Sequence, residues 1–221
     1  MEPLIKKKDL QFSEKQKERL FPVVLDLFSK KDFHQVNMRE ISKISGMSTT
    51  TLYRYFASKE DLLFTVLEEK ISEIVVITNV HVQGIESTKE VFRKIFWVTM
   101  NYYDQNPGVA VAAFITVPMR AWIQERSYTY IKDDVKQVIA DAVTHGHKKN
   151  KLDPSLDIRQ YIDLYYMYCY RQIHLWYFHG MKWKLVEAIP KFFDVFWKTI
   201  SMPNTNNSRG QSGLPITKDE S

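Results

Sequence analysis

The sequence predicts an all-α protein of about nine helices. Three observations carry that expectation. Apolar residues recur at helical spacing from Ser13 to about Ile200, with no sustained strand alternation. Capping pairs, a Ser or Asn followed three positions later by Gln, Glu or Asp, open one segment after another. The 221 residues include only 7 glycines and 8 prolines, too few turn formers for a fold of many tight hairpins. Apolar residues make up 44% and charged residues 26%, ordinary values for a globular chain long enough to bury a core.

Each element follows from local chemistry. Ser13-x-x-Gln16 opens the first helix, in which Leu20, Val23, Val24, Leu27 and Phe28 share one face. Pro22 removes a backbone donor there and is expected to kink the helix or shift its effective start. Lys30 and Lys31 suit the negative end of its dipole. Asn37-x-x-Glu40 opens a second helix, and Gly46 closes it in the left-handed conformation. Ser48 caps a short third helix, Thr49 to Phe56, and Ser58-x-x-Asp61 caps a fourth that runs to about Val76. A connection over 79–87 around Gly84 leads to Ser87-x-x-Glu90 and a fifth helix ending near Asn106-Pro107. That helix is apolar nearly all round (Phe92, Ile95, Phe96, Trp97, Val98, Met100), so it belongs in the middle of a bundle. A sixth helix is expected over about 108–123 and a seventh over 127–145. Asp153-Pro154 reads as cap plus first-turn proline of an eighth, from about Leu156 to His179, and a ninth runs from about Leu185 to Ile200. The domains expected are 13–60 and 61–202, followed by a disordered polar tail, 203–221.

The charge is unevenly placed. Residues 1–59 hold 12 Lys and Arg against 7 Asp and Glu, and residues 60–221 hold 19 of each. The whole net charge of +5 therefore sits in the first quarter, as expected of a surface that meets phosphate. The single cysteine, Cys169, lies in an apolar stretch and reads as a buried thiol in a reducing cytoplasm. No run of 18 apolar residues suggests a membrane span, and Met1–Leu20 is too charged for a secretory signal. His145 with His147, and His174 with His179, lack the companions of a metal site, so no metal or cofactor is expected. No nucleophile elbow, phosphate-binding glycine loop or catalytic carboxylate pair is present, and an enzyme is not expected.

Residues 37–59 read as a helix-turn-helix. Ile41, Ile44, Met47, Leu52 and Phe56 are spaced to pack two short helices against the first, with Gly46 at the turn. Thr49, Thr50, Tyr53 and Arg54 are left on the outer face of the short third helix. Hydroxyls, a phenol and a guanidinium are groups that reach base edges and phosphates.

The run Gly46-Met47-Ser48-Thr49-Thr50-Thr51-Leu52-Tyr53-Arg54-Tyr55-Phe56-Ala57-Ser58-Lys59-Glu60-Asp61-Leu62 resembles the DNA-binding domain of the TetR family, over roughly residues 20–65. The resemblance implies double-stranded DNA as a partner. Thr49 and Thr50 would read bases beside the cap Ser48, Tyr53 would meet phosphate or a thymine methyl, and Tyr55 and Lys59 would hold phosphate. Arg39 would reach a base or phosphate, and Asn37 would cap its helix and touch the backbone. Thr50 stands where the family usually has Gly or Ala, so the operator sequence is not inherited.

For the rest of the chain the resemblance implies a helical ligand-binding and dimerisation domain, with the eighth and ninth helices forming a four-helix homodimer interface. The stripe Leu185, Ile189, Phe192, Phe193, Phe196 and Ile200 is read either as that interface or as internal core. Trp97, Tyr103, Phe114, Trp122, Tyr128 and Tyr165 are candidate linings of a cavity for a small hydrophobic or aromatic effector, or plain core. Arg171 would pair with a ligand anion or with an acid across the dimer, or lie exposed at a rim. The function expected is a ligand-responsive repressor on a near-palindromic operator, cytoplasmic and without a membrane partner. The alternatives are an activator or architectural DNA-binder without an effector, and, further off, a helical enzyme or protein-interaction module.

Overall fold

The computed structural model describes residues 12–116 and 133–203. Within them the chain is helical, with one isolated β-bridge, Leu152 to Ser201. The helices are α1 (Glu14–Lys30), α2 (Met38–Ser45), α3 (Thr49–Tyr55), α4 (Lys59–Val82), α5 (Thr88–Gln105), α6 (Pro107–Val111), α7 (Asp133–Lys148), α8 (Ile158–Phe178) and α9 (Ile189–Ile200). A π-helical turn, Ala112–Thr116, continues α6, and a 3₁₀ turn, Leu185–Ala188, precedes α9.

The N-terminal caps of α1 to α5 sit where the sequence places them. Ser13 and Gln16 form a reciprocal capping box. The side chains of Asn37, Ser48, Ser58 and Ser87 each accept from the backbone N–H three residues on. Gly46 ends α2 at φ +65°, where a side chain is strained, and the Arg19 guanidinium donates to the carbonyls of Ser45 and Gly46 at 3.1 Å each.

Several expectations are corrected. Helix α1 runs through Pro22 from Glu14 without interruption, because one missing donor is tolerated where both flanking turns are packed and capped. Helix α4 is longer than expected, reaching Val82, and shortens the connection to 83–87. The cap of α8 is Asp157, paired with Gln160, not Asp153. The Asp153 carboxylate instead accepts from the backbone and hydroxyl of Ser155, which pulls its pKa down. The sixth helix is only one and a half turns long before it widens into the π turn. The remainder of that segment, most of the N-terminal half of the expected seventh helix, and the tail beyond Pro203 lie outside the described residues.

Helices α1–α3 pack around Leu20, Val24, Ile41, Leu52 and Phe56. Ile44, expected in this core, is 55% exposed, because α2 buries the face of Met38, Ile41 and Ser45 and Ser45 takes the inward position beside it. Helix α4 leaves this unit and joins α5, α7, α8 and α9 in a second core. Phe96 lies at its centre, its ring 4.8 to 6.1 Å from Phe192, Phe193 and Phe196. The stripe from Leu185 to Ile200 is thus internal core of one chain, all six residues being buried. Helix α6 and the π turn return to α1. Gly108 lies against Leu25 and Ser29, and the Thr116 hydroxyl donates to the Phe28 carbonyl at 2.5 Å.

Candidate nucleic-acid interface

The outward face is built from the turn upward. The Ser48 hydroxyl accepts from Thr51 N at 3.0 Å and pairs with the Thr51 hydroxyl at 2.8 Å, so its oxygen is spent holding the first turn of α3. That turn presents Thr49, Thr50 and Thr51, and with Tyr53 and Arg54 they line an open groove of about 570 Å³. Leu52, on the opposite face, is fully buried and fixes the rotation of α3. Tyr53 is half exposed. The Arg54 guanidinium lies over the Tyr55 ring at 5.1 Å and donates to its hydroxyl at 3.4 Å. Arg39 is exposed on α2, and Asn37 accepts from Glu40 N at 3.0 Å as that helix's cap.

Lys59 is placed differently from the phosphate-facing position the resemblance implies. Its ammonium donates to the carbonyls of Phe33 at 2.7 Å and Val36 at 2.9 Å, and lies 4.5 Å from the centre of the Phe33 ring. Two of its three donors are therefore spent inside the unit, where they clamp the connection between α1 and α2.

Three contributors carry little signal in the sequence. Phe12 packs edge-on against Tyr55 at 4.9 Å and Phe56 at 5.4 Å. Its position just before the Ser13 cap is the only hint. Arg19 holds the turn after α2. Lys17 bridges Glu14 and Glu69, tying α1 to α4, and these hydrogen bonds, Glu69 first, raise its pKa.

In the second core, Tyr103, Tyr165 and Cys169 form one buried cluster, with Tyr166 half-buried against it. Burial, added to by mutual repulsion of the ionised forms, pushes the phenols well above their usual range and the thiol up to about 12. Tyr165 shares a 2.6 Å hydrogen bond with Thr99, and Phe114 stands edge-on to Tyr103 at 5.5 Å. Two candidates are not in this cluster. Trp97 is 38% exposed, beside Lys94 and His81, and Arg171 is exposed on α8. Trp122 and Tyr128 lie outside the described residues. The space beside Thr99 and Tyr165, between Ile74, Thr78, Ile95 and Ile139, is a void of only about 20 Å³. His147 Nε2 lies 3.2 Å from the Tyr161 hydroxyl and 3.3 Å from the Asp153 carbonyl, and His174 Nδ1 lies 3.0 Å from the Tyr170 carbonyl.

A capped, exposed third helix on a three-helix unit, carried by a body that is helical among the described residues, is the arrangement of a helix-turn-helix domain. Residues 25–66 match the family model described as bacterial regulatory proteins, tetR family. It is 24% identical over 150 residues to the HTH-type transcriptional regulator UidR of Escherichia coli K12, covering 67% of this chain and 76% of that protein. Its fold is similar to that of the fatty acid degradation regulator FadR of Bacillus halodurans, at a TM-score of 0.73 and 14% identity over 85% of this chain and 97% of the other. It is also similar to the transcriptional regulator FadR of Bacillus subtilis, solved in complex with stearoyl-CoA, at a TM-score of 0.69 and 16% identity over 81% and 96%. Among the described residues no helix is long and apolar enough to cross a membrane.

Proposed function

We propose that this protein is a homodimeric cytoplasmic repressor that holds a near-palindromic operator through α3 and releases it when a small apolar effector enters the second core. The carrying observation is the face of α3. Its capped N-terminal turn exposes Thr49 and Thr50 where a recognition helix meets base edges, with Tyr53 and Arg54 one turn behind. Arg39 and Tyr55 reach the flanking phosphates, Asn37 and Ser48 hold the helix starts, and Lys59 acts by positioning. Residues 13–60 form the DNA-binding domain and 61–202 the effector and dimerisation domain, the boundary falling inside α4, which transmits between them.

The outer face of α8 supports the dimer. Met167, Tyr170, His174 and Phe178 fall at i, i+3, i+7 and i+11, and Met167 and Phe178 are 66% and 76% exposed. With Val195 of α9 they form a stripe that a second copy would cover, and Arg171 lies beside it. The interface is thus assigned to the opposite side of α9 from the phenylalanines.

An aliphatic chain suits the second core. A drug-sized ligand fills about 300–1,000 Å³. The void beside Thr99 and Tyr165 is far smaller, so the effector must select a state in which α4, α5, α7 and α8 part. A narrow acyl chain needs the least parting, and the likeness to a regulator solved with stearoyl-CoA supports that choice. Tyr103, Phe114 and Tyr165 would line its path.

The test is a selection of bound duplexes from random DNA, followed by challenge with stearoyl-CoA or an aromatic acid. A recovered inverted repeat released by the acyl thioester is the expected result. Binding insensitive to every apolar challenger would favour a DNA-binder without an effector.

A further inference from the structure

We propose that the chain carries a second small-molecule site, separate from the void beside Thr99 and Tyr165, that takes a small organic amine with an apolar body. The site lies where the end of α4, the start of α5 and the C-terminal half of α7 meet. It depends neither on the reading of α3 nor on that of the acyl effector.

The cavity there has a volume of about 270 Å³. Drug-sized ligands fill about 300–1,000 Å³, so its occupant is small. Val82, Ile85, Val91, Val138 and Ala142 form apolar walls. Val138 also borders the void beside Thr99 and Tyr165, and so separates the two spaces. Mostly apolar walls with a few polar groups are the composition of a small-molecule site.

Four polar side chains set its chemistry. Thr88 is 3% exposed, and among the described residues its hydroxyl has no hydrogen-bond partner. A buried hydroxyl left unpaired is costly, so a ligand group that bonds to it is favoured there. Asp141 and His145 stand one turn apart on α7, and Asn79 comes from α4. Gln137 donates to Asp141 Oδ1 at 2.7 Å, which orients the carboxylate and leaves Oδ2 for a ligand.

Charge selects the ligand. Among the described residues that line the cavity there is no lysine or arginine, and Asp141 supplies the one carboxylate. Lys149, one turn beyond His145, turns its ammonium to the Glu86 carbonyl at 2.9 Å. An anion would meet the carboxylate with no cation beside it. An ammonium, with three donors and no acceptor, finds acceptors in the Asp141 carboxylate, the Asn79 carbonyl and the Thr88 hydroxyl oxygen. A metal ion fits less well. Asp141 and His145 lack a third ligand, and no group of three His, Cys, Asp or Glu side chains that could hold one comes together among the described residues.

The test is calorimetry of the full chain with three probes of similar size, 2-phenylethylamine, 2-phenylethanol and phenylacetate. The amine is expected to bind saturably, at least about tenfold more tightly than the alcohol or the acid. Asp141 is exposed, so Asp141→Asn leaves the packing intact. It is expected to weaken the amine at least about tenfold and to remove its advantage over the alcohol. Thr88→Val is expected to weaken the amine several-fold while the melting temperature does not fall. The loss is then one of binding and not of folding. Amine and acid bound equally, no saturable binding of the amine, or amine binding untouched by Asp141→Asn or by Thr88→Val would each overturn the site.

Discussion

The Lys59 ammonium donates to the Val36 carbonyl at 2.9 Å, joining the first residue of α4 to the residue before the α2 cap. With the second bond to Phe33 it fixes the connection from which α2 starts, and hence the direction of Arg39. Hydrogen bonds to a charged group are worth about 1.5–3 kcal/mol, and partial exposure of Lys59 puts its contribution at or below the low end. Lys59→Ala is expected to cost about 1 kcal/mol in chemical denaturation and to weaken DNA binding while leaving the salt slope unchanged. A slope reduced by about 0.9 would return Lys59 to the phosphate backbone.

The α8 stripe is expected to hold the dimer. Met167→Asp with Phe178→Asp places charges at two residues that touch neither the internal core nor α3. Sedimentation should show a monomer with a native helical spectrum. Its binding to a two-half-site duplex should fall by orders of magnitude, because one chain reads one half-site. A dimer that persists would remove α8 from the interface.

Helix α7 crosses close to the start of α5 at Gly146. A Cβ there would stand 2.5 Å from Leu152 Cδ1 and 2.7 Å from Thr88 Cγ2, both buried residues. Gly146→Ala is expected to destabilise the chain by about 1–3 kcal/mol despite alanine's better helix propensity. Thr88 should behave oppositely. Among the described residues its buried hydroxyl has no hydrogen-bond partner, so Thr88→Val is expected to raise the melting temperature. A melting temperature raised by Gly146→Ala or lowered by Thr88→Val would contradict this packing.

The buried thiol and phenols set a pH limit. Burial holds Cys169 up to about 12, from an unfolded value near 9, and Tyr161 up to about 12, from near 10. Groups raised on folding contribute stability that is complete below their unfolded values and is lost as pH rises through the folded ones. Stability should hold to about pH 9, then fall by about 1.4 kcal/mol per unit for each such group until about pH 12. Cys169 should resist alkylation at pH 8 in the folded protein and react on denaturation. Rapid labelling of the native chain would place it at the surface.

What was legible in the sequence was what is local. The caps at Ser13, Asn37, Ser48, Ser58 and Ser87 are satisfied by neighbours three residues away, so the pattern and the geometry coincide. Direction across the fold was not legible. The Leu185–Ile200 stripe announces a buried face without saying whether Phe96 or another chain buries it. A lysine beside a basic motif looks like a phosphate ligand until Phe33 and Val36 are brought to it from more than twenty residues away. Trp97 has the composition of a pocket lining, but its place on the outer turn of α5 sets it against Lys94 and His81.

The most direct test of the central claim is the sequence preference of the unmodified chain beside that of Thr49→Ala and Thr50→Ala, selected from the same random duplex pool. Reading of bases by the first turn of α3 predicts an enriched near-palindrome whose half-sites lie about 34–36 Å apart, or a multiple of that. It also predicts that each substitution relaxes preference at a base pair within each half-site, by about 1–3 kcal/mol, with little change in salt slope. An unmodified chain that enriches no sequence, or variants that enrich the same sequence equally well, would contradict the account.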